Sequence, residues 1–234
     1  MKQTARDRIA YSQLGGHSQS VDSVITRLMA AKLEHPEILS LAAGFTDNRI
    51  LPEGLVRETV RLLGGTENRA HLQYGTNAGR PGLREAVIDL LRVYPGEEGL
   101  ELNPDQVLIT NGSQQALYIL VQALCDPGDI VLVERPSYFV FLELLRGMGV
   151  RAVSIPDDSA GRIDPAGLDE RLRKLEADGD ADRVKLIYLM GAFANPSTRC
   201  ISESEKTGLI DVLGSRSRPI PVVEDMAYRE LYFD

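Results

Sequence analysis

The chain has no tryptophan, two cysteines, three histidines and only 6% aromatic residues among its 234 positions. Cys125 and Cys200 are too few and too far apart for a disulfide framework, and neither belongs to a C-x-x-C pair. Each reads as a small apolar side chain rather than a reactive thiol. His17, His35 and His71 show no metal-ligand spacing, so no metal site is expected. Long apolar runs are missing too: no stretch reaches the roughly 18 residues of a membrane-spanning helix. The N-terminal MKQTARDRIAYSQLGG carries charges where a signal peptide needs an apolar core. Basic excess is also lacking. Lys and Arg number 26 against 34 Asp and Glu, a net charge of -8, and the two signs are interspersed. Nucleic-acid binding, which needs clustered Lys and Arg, is therefore not expected. These absences together predict a cytoplasmic protein with neither a membrane nor a nucleic acid as partner.

What the sequence does contain is a 43% hydrophobic fraction, enough for a buried core. From Val107 onward, short apolar runs alternate with longer amphipathic segments. Strands are predicted at Val107–Thr110, Ile130–Glu134, Arg151–Ile155, Val184–Leu189 and Pro221–Glu224. Helices are predicted between them at Ser113–Leu124, Tyr138–Met148, Pro165–Glu176 and Ser202–Leu213. Continuous runs such as IVLVE and KLIYLM suit strands covered on both faces. The fold class read from this alternation is α/β, a mostly parallel sheet with helices on both faces. Asp126-Pro-Gly-Asp129 marks a helix end and turn, Asp164-Pro165 an N-cap with Pro behind it, and Ser202 with Glu205 a capping box. Before Val107, helices are predicted at Val21–Leu33, Leu55–Leu63 and Leu83–Val93, separated by the Gly- and Pro-punctuated LAAGFTDNRILPEG.

Ligands of open α/β sheets bind at the carboxyl ends of the strands. Four predicted loops lie there. Asn111-Gly-Ser-Gln-Gln115 opens a helix with free N–H groups suited to a phosphate, or simply with a serine N-cap. Arg135-Pro-Ser-Tyr138 brings a ring, which alone reads as core packing. Met190-Gly-Ala-Phe-Ala-Asn-Pro196 reads alone as a turn; an acid at a strand end such as Asp225 is common, but Asp225 and Tyr228 three residues apart beside a phosphate loop are harder to dismiss. Their order and spacing carry more than any one of them.

Taken in order, LAAG, QYGTNAGRPGLREA, NGSQQAL, ERPSY, ANPS and EDMAYREL resemble the motif blocks of class I/II pyridoxal-phosphate-dependent aminotransferases of fold type I. The resemblance runs from about Val21 to the C-terminus and is nearest to the 2-aminoadipate and kynurenine branch. It implies pyridoxal 5′-phosphate as cofactor, amino acids and 2-oxo acids as substrates, and a homodimer. Gly112, Ser113 and Gln114 match the phosphate turn, Tyr138 the aromatic stacked on the cofactor ring, and Asp225 the carboxylate beneath the pyridine nitrogen. Asn195 and Tyr228 match the pair that hydrogen-bonds the phenolic oxygen, with Asn195 also toward substrate. Asp225, Tyr228 and Asn195 are thus the candidate catalytic residues. Tyr74 matches a tyrosine reaching the neighbouring subunit's phosphate, and Gly44 a position lining the substrate carboxylate pocket. The implied domains are 1–50, an N-terminal arm with part of a small domain, and 51–234, the cofactor-binding large domain.

The family's Schiff-base lysine stands in a Ser-x-x-Lys segment beyond the Asp-x-x-Tyr block. Lys2, Lys32, Lys174, Lys185 and Lys206 are the lysines here, and none has that context. The expectation is a truncated chain, inactive alone, lacking two strands between Val107–Thr110 and Pro221–Glu224. In GAFANPST, Gly191 replaces the family's usual proline, and Ser197-Thr198 its Thr-Gly. Three other readings stay open: a lyase or decarboxylase on the same fold, the sensor domain of a transcription regulator, and a non-catalytic half needing a partner chain.

Overall fold

The computed structural model describes residues 10–12, 14–16, 24–35, 37–39, 46–65, 72–94, 99 and 101–232. The chain divides into two compact units, Val24–Thr110 and a second that joins Met1–Ser23 to Asn111–Asp234.

In the Val24–Thr110 unit, α1 spans Val24–Glu34, α2 Glu53–Gly65 and α3 Pro81–Arg92. Pro81 sits in the first turn of α3, where its missing N–H and fixed φ cost nothing. Arg84 on α3 donates to the Pro104 carbonyl at 2.8 Å and pairs with Asp105 at 3.2 Å, tying the helix to a turn at Pro104–Gln106. That turn is closed by a capping box between Asn103 and Gln106. Val21–Ser23, the predicted start of α1, lie outside the described residues.

The predicted strand Val107–Thr110 does not form. These residues join no ladder among the described residues; Ile109 N–H instead donates to the Ala78 carbonyl at 2.9 Å. An apolar β-branched run becomes a strand only when a neighbour accepts and donates along it. Here the segment is gripped by a turn. Gly79 has φ +101°, and a Cβ on it would lie 2.4 Å from Ile109 Cγ1, so only glycine fits the approach.

In the second unit, the remaining predicted elements form near their expected bounds. They run α4 Gly112–Leu124, β1 Ile130–Val133, α5 Phe139–Gly147, β2 Arg151–Ser154, α6 Pro165–Ala177, β3 Val184–Leu189, α7 Glu203–Gly214 and β4 Val222–Glu224. The Asp164 side chain accepts from Ala166 N–H to cap α6, and Ser202 with Glu205 forms a capping box on α7. The strands pair in the order β2-β1-β3-β4, every pair parallel.

Strand alternation divides the core in two. Val131, Val133, Leu186 and Tyr188 face one way and pack with Leu117 and Val121 of α4 and Phe141 and Leu145 of α5. Ile130, Leu132, Ile187 and Leu189 face the other way, against Leu168, Leu172 and Leu175 of α6 and Leu209 of α7. β1 is buried along its whole length, which is why it reads as an unbroken apolar run. Helices cover both faces, so residues just past the strand ends are where polar groups meet a ligand.

Candidate functional site

The first turn of α4 begins at Gly112, whose φ of +74° turns the chain abruptly from the preceding segment into the helix. Asn111, at the N-cap, makes no side-chain capping bond, and its own N–H donates to Gln115 Oε1 at 2.6 Å. The start of this 13-residue helix carries the positive end of the helix dipole, which favours an anion. Gln114 Nε2 donates to the Tyr138 hydroxyl at 3.2 Å, joining α4 to the start of α5.

Tyr138 is half-buried against the core beneath α5. Burial, with Tyr228 and the Asp225 carboxylate nearby, holds its phenol above the ordinary tyrosine range against the opposing Gln114 bond, so it stays protonated.

The segment after β3 folds back on itself. Ile201 N–H donates to Gly191 O at 3.0 Å, Ala194 N–H to Arg199 O at 2.9 Å, and Thr198 N–H to Ala194 O at 2.5 Å. Glu134, buried at the end of β1, accepts the Met190 N–H at 2.7 Å and fixes the root of the loop. A Cβ on Gly191 would meet the end of the Glu224 side chain, which would have to move aside; nothing in the structure explains glycine where the resemblance expects proline. At the tip, Asn195 Nδ2 donates to the Tyr228 hydroxyl at 3.2 Å. Both residues line an open cleft of about 240 Å³ with Phe193, Ala194, Pro196, Thr198 and Leu231. The Arg135–Pro136 and Asn195–Pro196 peptide bonds are cis.

Asp225, just past β4, is 9% exposed. Its Oδ1 accepts from Ala227 N–H at 3.1 Å and its Oδ2 from the Tyr188 hydroxyl at 2.9 Å. Tyr188 is fully buried on β3 with its ring stacked on Phe141, centroids 4.0 Å apart. Burial first, then the adjacent Asp225 carboxylate, pushes its phenol far above the ordinary range, so Tyr188 is a donor at every working pH. The sequence reading passed over Tyr188 as one more apolar strand residue. The available signal was a hydroxyl inside the otherwise apolar run KLIYLM.

Gly112, Ser113, Gln114, Tyr138, Asn195, Asp225 and Tyr228 thus all lie in the sheet-bearing unit, and the bonds above link several of them directly. Tyr74 belongs to the other unit and is 97% exposed. Gly44 lies outside the described residues. The described lysines have other partners where bonds are seen: Lys206 pairs with Glu224 at 2.7 Å, Lys185 with Asp129 at 3.6 Å, and Lys32 donates to Ile38 O at 2.5 Å. Among the described residues, no cluster could hold a metal ion, and no helix is long and apolar enough to cross a membrane.

A helix start, a buried carboxylate and an amide–phenol pair thus follow the strands of a parallel sheet, and proteins sharing this fold are pyridoxal-phosphate-dependent aminotransferases. A solved archaeal alanine:glyoxylate aminotransferase superposes with a TM-score of 0.80 at 28% identity, covering 94% of this chain and 53% of that one. The kynurenine aminotransferase of Pyrococcus horikoshii, solved in complex with PMP, superposes at 0.75 with 28% identity over 92% and 50%. The 2-aminoadipate transaminase of Thermus thermophilus is 32% identical over 86% of this chain and 46% of its own length. Residues 36–234 match the family Aminotransferase class I and II, and the chain belongs to that family. The family's cofactor is pyridoxal 5′-phosphate. The chain spans about half the length of the curated relatives it matches.

Proposed function

We propose that this edge binds pyridoxal 5′-phosphate and serves amino-group transfer between an amino acid and a 2-oxo acid. The observation that carries the reading is the buried Asp225 carboxylate, held on both oxygens beside an Asn195–Tyr228 donor pair. The residue set fits the cofactor's chemistry: a helix N-terminus for its phosphate, a carboxylate for its ring nitrogen and two donors for its phenolic oxygen. When bound, the cofactor supplies a conjugated ring that takes up the electron pair left as a substrate α-proton departs.

In this reading Gly112, Ser113 and Gln114 bind the phosphate, with Gln114 also orienting Tyr138. Tyr138 presents a flat face to the ring. Asp225 keeps a proton on the pyridine nitrogen, because an anion beside that nitrogen favours its charged form. Asn195 and Tyr228 donate toward the phenolic oxygen. Tyr74 would reach the phosphate in a second copy of the chain, making the assembly a homodimer, and Gly44 would line the substrate carboxylate pocket. With Lys32, Lys185 and Lys206 bonded elsewhere, we further propose that residues 1–234 bind the cofactor but do not turn over alone.

Titration with pyridoxamine 5′-phosphate, which needs no lysine, tests this. The chain should bind it, and Asp225→Ala should weaken binding by about 1.5–3 kcal/mol, the worth of a hydrogen bond to a charged group. Unchanged affinity in Asp225→Ala sinks the reading. Turnover by the 234-residue chain with an amino acid and a 2-oxo acid would refute the claim of inactivity alone.

A further inference from the structure

We propose that Tyr188 is a positioning residue: its hydroxyl holds the Asp225 carboxylate in the orientation from which that group meets the nitrogen of a bound pyridine ring. The inference rests on the reading of Asp225 given above and adds a residue to it.

The position does not ask for a hydroxyl on packing grounds. Tyr188 is 0% exposed, stacked on Phe141 and surrounded by Leu145, Leu186 and Met190, a setting that phenylalanine would fill equally well. A buried hydroxyl costs free energy unless it finds a partner. Its partner lies 37 positions along the chain, on the end of a different strand. Because β3 and β4 are in register at Tyr188 and Val223, the ring lies on the same face of the sheet as Asp225, two residues beyond.

Asp225 has limited means of holding itself. Its Ala227 bond comes from its own loop, a local turn that a carboxylate makes while still free to swing. The Tyr188 bond comes from a fully buried ring, stacked on Phe141, that core packing prevents from following such a swing. Two donors on opposite oxygens fix the carboxylate plane and leave further lone pairs on each oxygen for a third donor. Without the hydroxyl, Oδ2 would turn toward solvent, since the group is 9% exposed rather than sealed.

The test compares two ligands, pyridoxamine 5′-phosphate and its 1-deaza analogue, in which carbon replaces the ring nitrogen. The wild-type chain should prefer the nitrogen-bearing ligand by about 10- to 100-fold. Tyr188→Phe should cut that preference about tenfold while leaving affinity for the deaza analogue unchanged. In an Asp225→Ala background the same substitution should change neither affinity, because the hydroxyl then has nothing to orient. Full preference in Tyr188→Phe overturns the inference and leaves the cofactor reading standing. So does an equal loss for both ligands, which marks Tyr188 as packing only, or an undiminished effect in the Asp225→Ala background. A wild-type chain without preference overturns the Asp225 reading and this inference with it.

Discussion

Thr198→Gly should make the protein more stable, although it removes side-chain contacts. Thr198 has a φ of +58°, in the left-handed region that β-branched residues avoid because the side chain crowds the backbone carbonyl. Holding a residue there costs about 1–3 kcal/mol. Glycine relieves it but loses more conformational freedom on folding, which returns about 0.5–1 kcal/mol. The other losses are small. Thr198 is exposed, and its hydroxyl donates only to the neighbouring Ser197 carbonyl at 2.7 Å, a bond that water replaces. The bond that closes the loop, from Thr198 N–H to Ala194 O, is backbone and survives. The net gain is about 1 kcal/mol, or an increase in Tm of about 2–4 °C for a chain of this size. Urea unfolding of wild type, Thr198→Gly and Thr198→Ala measures it, with a common m-value required for the comparison. Alanine keeps a Cβ in the strained conformation, so it should gain clearly less than glycine. Destabilisation by glycine, or equal gains from both substitutions, would refute the argument that backbone strain dominates.

Two further predictions concern stability at other positions. Gly79→Ala should destabilise the Val24–Thr110 unit by about 3 kcal/mol, since it adds overpacking against Ile109 to a φ of +101°; a cost below about 1 kcal/mol in thermal unfolding would show that Ile109 gives way freely. Glu205→Ala should cost about 3 kcal/mol near neutral pH. Glu205 is buried and accepts from Arg199 at 2.7 Å, from Ile163 N–H at 2.8 Å and from Ser202 N–H at 2.9 Å. Burial works to raise its carboxyl, but the bonds from Ser202, Arg199 and Ile163 outweigh it and bring the value from 4.5 to about 2. A depressed carboxylate stabilises above its unfolded value and loses that contribution as pH falls through its folded one. The stability difference between wild type and Glu205→Ala should therefore hold down to pH 4.5 and shrink toward pH 2, as urea midpoints across that range would record. A pH-independent difference would mean that packing, not charge, is what Glu205 contributes.

Elements whose stability is local were legible in the sequence. The caps at Asp164 and Ser202 form as their residue types require, and the apolar run of β3 begins and ends where it was read. Helix bounds shift by a residue or two, as fraying ends do. Local pattern also marked the strand ends and helix starts at which Gly112, Tyr138, Asn195 and Asp225 stand, whereas the roles given to these residues come from the resemblance and not from local pattern. Val107–Thr110 shows the limit: its composition is that of a strand, yet no ladder forms.

What the sequence by itself determined, then, is the alternation of strands and helices, the two-sided burial of the sheet and the edge at which polar residues gather, all of which follow from period and turn chemistry. Only the tertiary structure decided the rest. The hydroxyl of Tyr188 finds its acceptor 37 residues away, Gly79 is obligatory because Ile109 lies against it, and Thr198 is strained because the loop around Asn195 closes on itself. Each depends on two segments meeting through the fold or on a backbone angle set by loop closure, and neither is encoded in the pattern of a single stretch of chain.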